Sequence, residues 1–276
     1  MPTRSIYDMV WPFRRPSSDS RESAFRLNAR RGKTVTPLLW QPAETAVIIC
    51  DLWNDHWCNS AAQRCSKLAP RVNEFAQVVR ARGGLVVHAP SDTMAFYSEL
   101  HQRERARGIA LVAPPMPIIM RPIDRSREPE LPIDDSDGGC DDAPPSQLGQ
   151  CAPWKHQHPA ITIAHQDIIS DVGEEIYSTF IRGGIKNIFM TGVHTNMCIL
   201  ARSFGIRQMV MLGFGVILVR NLTDSLYNPS MPPGVSHDRG TELVVEHIEK
   251  YWCPSISSGD VASPDLLANS ASQRLP

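Results

Sequence analysis

Short apolar runs alternate along this chain with longer amphipathic stretches. That alternation predicts an α/β protein, a Rossmann-like three-layer α/β/α arrangement with a mainly parallel central sheet. Two observations carry the prediction. Runs such as AVIIC at 46–50 and IFM at 188–190 are apolar throughout, as strands covered on both faces must be. Between such runs lie segments, 69–82 the clearest, whose apolar residues recur at helical spacing.

Residues 1–43 are polar, rich in Arg and Pro, and without a clear period. They read as an N-terminal arm that wraps the domain or a neighbouring subunit. One domain is expected over 44–256, with a tail at 257–276. The run at 46–50 delivers Asp51 to the C-terminal edge of the sheet, where open α/β sheets place their ligands. Taken alone, a carboxylate there is more often a cap or a loop residue. Residues 69–82 are a helix with Pro70 in its first turn and Val72, Phe75, Ala76 and Val79 inward. Gly83 and Gly84 end it, 85–87 form the second strand, and His88, Ser91 and Asp92 then share the sheet edge with Asp51.

From about 95 to 151 the pattern breaks. A charged helix at 98–107 gives way to a Pro-rich segment and the acidic run PIDDSDGGCDDAPP. That run lacks the spacing and closing Glu of a calcium loop and reads as a solvated acidic turn. Its length suggests a functional cover, a subunit contact or disorder. AITIA at 160–164 is the third strand. Residues 171–183 are a helix with Asp171 and Glu174 as a capping box and Val172, Ile176, Phe180 and Ile181 inward. Strand 188–190 leads to a helix at 196–212, capped by Thr195 or Asn196 and stopped by Gly213. Cys198 thus falls in a first helical turn, where free N–H groups and partial positive charge favour a thiolate and an oxyanion. A lone Cys is otherwise more often a core residue. A fifth strand at 216–219 and a last helix at 241–251, with Leu243, Val244, Ile248 and Tyr251 inward, complete the pattern.

Three stretches, in this order, resemble the isochorismatase-like cysteine hydrolases, which include nicotinamidases and N-carbamoylsarcosine amidases: AVIICDLWNDHWC, APWKHQHP and GVHTNMCI. The resemblance covers roughly residues 44–92 and 150–256. It implies a catalytic triad of Asp51, Lys155 and Cys198, a cis peptide at Val193–His194, and an oxyanion held by the N–H groups of His194 and Cys198. It also marks 95–151 as an insertion, since compact members join their second and third strands more briefly. Members are commonly oligomers, so a homo-oligomer is expected, with arm and insertion reaching a second subunit and narrowing the active-site mouth.

The chemistry implied is acyl transfer. Asp51 takes the thiol proton, Lys155 holds Asp51 and lowers the thiol pKa, and the thiolate attacks a carbonyl carbon. Most lysines are solvated, but of Lys33, Lys67, Lys155, Lys186 and Lys250 only Lys155 lies between the second strand and the helix before Cys198. Trp53, Trp57, His88, Phe96 and Trp154 are candidates for the substrate pocket, although each singly is more often core or interface. The Asp-x-His pair of metal-using nicotinamidases is missing from HAPSDTMAFY, so no metal and no cofactor are expected. A metal-assisted nicotinamidase with ligands from His56, His88 and Asp92 is the rival enzyme. A non-catalytic binding or assembly protein on the same scaffold is the other rival, and a solvent-facing Lys155 favours it.

Composition bounds the partners. The 276 residues are 42% hydrophobic and 21% charged, enough for one large core. A net charge of -1 offers no field for nucleic acid or membrane, leaving a small-molecule substrate. The N-terminal stretch lacks the apolar core of a signal peptide, which fits the cytoplasm. Seven Cys, an odd number, argue against a full disulfide framework.

Overall fold

The computed structural model describes residues 24–144 and 152–261. Its strands are β1 (Phe25–Arg31), β2 (Thr34–Trp40), β3 (Thr45–Cys50), β4 (Leu85–Ala89), β5 (Ile168–Ile169), β6 (Asn187–Val193), β7 (Gly215–Asp224) and β8 (Ser255–Ile256). They form one sheet in the order β2-β1-β8-β7-β6-β3-β4-β5, parallel from β8 to β5. Strand β3 lies between β4 and β6 and is buried at every residue, which is why its sequence is apolar without alternation. Val47 and Ile49 pack with Phe189 beneath helix α1 (Asn59–Ala81). Ile48 and Cys50 face the opposite way, with Met190, toward α3 (Gly173–Gly183), α5 (Ile206–Met211) and α6 (His237–Tyr251). The expected three layers are present.

Several elements depart from the expected pattern. The described part of the arm is a β-hairpin that extends the sheet: β1 pairs antiparallel with β2 and β8. Phe25, Leu27 and Ala29 alternate inward, and Gly32, at φ 57°, makes the turn. Helix α1 begins ten residues before the apolar pattern does, and Pro70 lies inside it. Pro70 is exposed, so the carbonyl it leaves unpaired faces water. At its N-terminus Asp142 accepts from the N–H groups of Asn59 and Ser60, each at 2.8 Å, which satisfies two orphan donors of the first turn.

The strand expected at 160–164 is a turn, closed by the Ile161 N–H on the His158 carbonyl. Pairing with β4 is made later, by Ile168–Ile169. The expected capping box is unformed: Asp171 Oδ2 accepts instead from the Asp92 N–H. The single helix expected at 196–212 is two short ones, α4 (Cys198–Ala201) and α5. Arg202 leaves helical conformation with ψ 156°, and a Cβ on Gly205 would stand 2.9 Å from the Ile199 carbonyl oxygen. Neither expected cap serves. Thr195 bonds Thr223, and the Asn196 side chain bonds the Leu226 backbone and Asp135.

The described part of the insertion, up to residue 144, contains α2 (His101–Arg107) and then runs irregularly across the chain's own surface, tied down at several points. The Arg103 guanidinium pairs with Glu175, and the Arg121 N–H donates to the Ala201 carbonyl at 2.7 Å. Its acidic run is not a solvated turn. Asp135 bonds Asn196, Asp137 bonds Asn228, Asp141 pairs with Arg64, and Cys140 forms a disulfide with Cys58. Cys50, Cys65, Cys198 and Cys253 are free. No described helix is long and apolar enough to cross a membrane.

The deepest of these ties is Glu128, which is 2% exposed. Its carboxylate accepts from Arg207 Nε, from His247 Nε2 at 2.8 Å and from Trp252 Nε1 at 2.8 Å. Burial disfavours its charge, but these three donors outweigh burial and hold its pKa below the usual 4.5. Its contribution is therefore present at neutral pH and lost as pH falls through the depressed value. Glu128→Ala strands the Arg207 charge in the core and should cost about 3–5 kcal/mol in urea unfolding. A change within error would show that the insertion adds nothing to stability.

Candidate active site

Two strand ends and one short helix meet at Asp51. After β3 the chain turns sharply, with Asp51 at φ 47°, and this fully buried carboxylate is held on both oxygens. Oδ1 accepts the Ser91 N–H at 2.7 Å, and Oδ2 accepts Arg202 Nε at 3.0 Å. The Cys198 thiol lies close enough to this carboxylate and to Arg202 for each to shift its pKa. Burial pushes the Asp51 pKa up, against the opposing pull of Arg202, Cys198 and Ser91. Burial and the neighbouring Asp51 also push the Cys198 thiol well up, with Arg202 opposing. At rest, the proton therefore stays on sulfur.

This corrects two expectations. The cation against Asp51 is Arg202, not Lys155. The Lys155 side chain is exposed, because its N–H and that of His156 are pinned to Asn54 Oδ1 at 2.9 and 3.0 Å, against the loop after β3. And α4 has only four residues, so its macrodipole gives the thiol little help. Arg202 was legible in principle: it lies four residues after Cys198, the spacing of one helix face.

The peptide Val193–His194 is cis. It turns the chain from the end of β6 into the loop that carries Cys198, and the His194 carbonyl accepts from the Met197 and Ile199 N–H groups. The His194 ring meets His56, with Nε2 atoms 3.3 Å apart. His56 Nδ1 accepts the Cys58 N–H, so His56 carries its proton on Nε2 and donates to His194. Burial lowers His56 to about 4, and burial with the adjacent His56 lowers His194 to about 3. Both are neutral at physiological pH.

Of the expected pocket residues, Trp53 and Trp154 stack with centroids 4.2 Å apart, and His56 stacks on Trp154 at 5.8 Å. The Trp53 indole N–H donates to the Ser91 carbonyl, joining this aromatic wall to the loop that holds Asp51. Trp57 lies against the His56 ring, with centroids 5.3 Å apart, and also packs on the Cys58–Cys140 disulfide, whereas Phe96 is 60% exposed beside His156. His88 points elsewhere. Its ring is fixed between Gln157 and Asp167, and Asp167 is paired with Arg80 of α1.

The rival metal set does not converge: His56 is on His194, His88 on Asp167, and Asp92 on Arg202. Among the described residues, the cluster with metal-like spacing is Cys58, Cys140 and Asp142. Its two sulfurs are bonded to each other, so it offers no thiolate.

No family model matches the sequence, and no curated protein matches it. Among solved structures, the chain is similar to a cysteine hydrolase from Pseudomonas syringae pv. phaseolicola 1448A, at 16% identity, 80% of this chain, 91% of that chain and TM-score 0.49. An isochorismatase family protein from Burkholderia thailandensis matches at 16% identity, 79% and 93% coverage and TM-score 0.43. An isochorismatase-like hydrolase from Alkaliphilus metalliredigens matches at 14% identity, 79% and 94% coverage and TM-score 0.44. What the chain is similar to in three dimensions is thus a set of proteins described as isochorismatase-family proteins and cysteine hydrolases.

Proposed function

We propose that this chain is an isochorismatase-like cysteine hydrolase that cleaves a C–N bond in a small amide, carbamoyl or ureido compound through a thioester. One observation carries the reading: a fully buried carboxylate, Asp51, is held by the Ser91 N–H and by Arg202, with the Cys198 thiol near enough to interact with both charges. Asp51 accepts the thiol proton as sulfur bonds to the substrate carbon. The carbonyl π electrons move to oxygen, which by analogy with the family the His194 and Cys198 N–H groups would hold. The tetrahedral species collapses, the C–N bond breaks, and Asp51 returns the proton to the departing nitrogen. Water then gives a proton to Asp51 and adds to the thioester, and sulfur leaves with that proton. Arg202 favours the charged form of Asp51 and opposes the negative charge that builds up on sulfur and oxygen.

The exposure of Lys155 favours the non-catalytic reading, but Arg202 supplies a cation at the point where that reading requires none. The metal-assisted reading has no support from His56, His88 and Asp92, each of which has another partner. An ammonia-release screen over small amides and ureas, with mass detection of an acyl group on Cys198, tests the proposal. Silence across the screen together with no acyl adduct would sink it. The pH profile offers a second check. Only ionised Asp51 can act as base, so kcat/KM should rise with pH through the Asp51 pKa. Burial places that acid limb above the ordinary 3.8. A limb at or below that value would point to another base.

A further inference from the structure

Asp51 and Asp92 are the non-glycine residues with positive φ among those described, at 47° and 65°. They follow the adjacent parallel strands β3 and β4, and both carboxylates reach one guanidinium. Arg202 donates from Nε to Asp51 at 3.0 Å and from Nη2 to Asp92 Oδ2 at 3.3 Å. Asp92 is itself held, since its N–H donates to Asp171 Oδ2 at 3.0 Å. Ser91, just before it, is fixed through its N–H on Asp51 and its carbonyl on the Trp53 indole.

Stability does not account for this arrangement. The Asp92 side chain is 63% exposed, and exposed ion pairs contribute little to folding. A side chain with a Cβ at left-handed φ persists only where its surroundings impose it, and such positions gather at functional sites. We propose that Asp92 is a positioning residue of the active site, gripping the outer edge of Arg202 so that Nε stays on Asp51 and the positive charge stays beside Cys198. This rests on the reading of Asp51, Arg202 and Cys198 as the reacting set. Arg202 is one-fifth exposed, and with a single anchor its long stem lets the head swing to water. A second anchor on Nη2 leaves one orientation. The charged and titratable groups facing Arg202 are Asp51, Asp92, Cys198 and Cys50, and Asp92 alone works from the solvent side.

The test is the rate of iodoacetamide alkylation of Cys198 across pH, read by peptide mass in the whole protein, for wild type, Asp92→Gly and Asp92→Asn. Glycine accepts φ 65° freely, so Asp92→Gly should melt no lower than wild type. Its alkylation curve should nevertheless move to higher pH by about one unit, read as roughly tenfold slower labelling near pH 8. Asn keeps an acceptor oxygen and should fall between the two. If wild-type Cys198 reacts no faster than the buried Cys65 and Cys253, the nucleophile reading fails and this inference falls with it. If wild-type Cys198 is selectively labelled but Asp92→Gly leaves the curve in place, only the positioning role is overturned. A move to lower pH also overturns it, because loss of a counter-charge without loss of orientation would act in that direction.

Discussion

Cys198→Ala is expected to lower kcat by at least about a thousandfold while leaving substrate affinity nearly intact, since the nucleophile acts in the transition state and not in ground-state binding. The reason lies in how the thiol is activated. Burial and Asp51 hold it protonated, so its reactivity depends on Asp51 as a base and not on a standing thiolate. Asp51→Asn should therefore silence turnover as fully as Cys198→Ala does, and should also slow alkylation of Cys198. Arg202→Met should cost a large part of the rate with some recovery in Arg202→Lys, whereas Lys155→Ala should remain close to wild type. Steady-state kinetics on the first substrate found, with equilibrium binding to the alanine variant, checks the set. Full turnover in Cys198→Ala would remove the nucleophile assignment, and loss of turnover in Lys155→Ala would return the cationic role to that lysine.

The parts of the fold that could be read in advance are those where one physical rule acts alone. Strands β3, β4, β6 and β7 are covered on both faces, so their apolar runs stand out, and α6 keeps an unbroken helical period. The hairpin of β1 and β2 was hidden because its outward residues include Arg26, Arg30 and Thr36, which swamp the inward alternation of Phe25, Leu27 and Ala29. Strand β5 is two residues long and owes its position to the buried Asp167, tied to Arg80, His88 and the Ala164 N–H, so no apolar run announces it. The break between α4 and α5 depends on a close approach at Gly205 that only three dimensions reveal.

The same distinction governs the site. Asp51 and Cys198 are legible because each follows a buried strand within a recognisable stretch. The partner of Asp51 left only the weaker signal of its spacing after Cys198, because Arg202 is 151 positions from Asp51 and the resemblance points to Lys155. Seven cysteines argue only against a full disulfide framework, and the single Cys58–Cys140 bond depends on the path of the insertion, which no local pattern encodes.

Gly192→Ala is expected to damage the fold and the site together. Gly192 lies near the end of β6 at φ 106°, where the pairing with β7 slips register between Met190 and Gly192. A Cβ there would stand 1.9 Å from the Cys50 carbonyl oxygen, 2.8 Å from its carbon and 2.9 Å from its nitrogen. All three atoms are backbone, so no side chain can rotate away, and either β3 or β6 must move. The Cys50 carbonyl belongs to the peptide that leads into Asp51, so any relief displaces the carboxylate from Ser91 and Arg202. The combined strain and lost packing should cost on the order of 3 kcal/mol or more, at the upper end of single substitutions. Gly184 provides the control: it caps α3 at φ 70°, but nothing lies within 4 Å of its added Cβ. Gly184→Ala carries only the left-handed backbone cost, about 1–2 kcal/mol, and should keep full activity. Urea midpoints and Cys198 alkylation measured side by side separate the two. If Gly192→Ala is as stable and as reactive as Gly184→Ala, the contact between β3 and β6 is not what fixes Asp51.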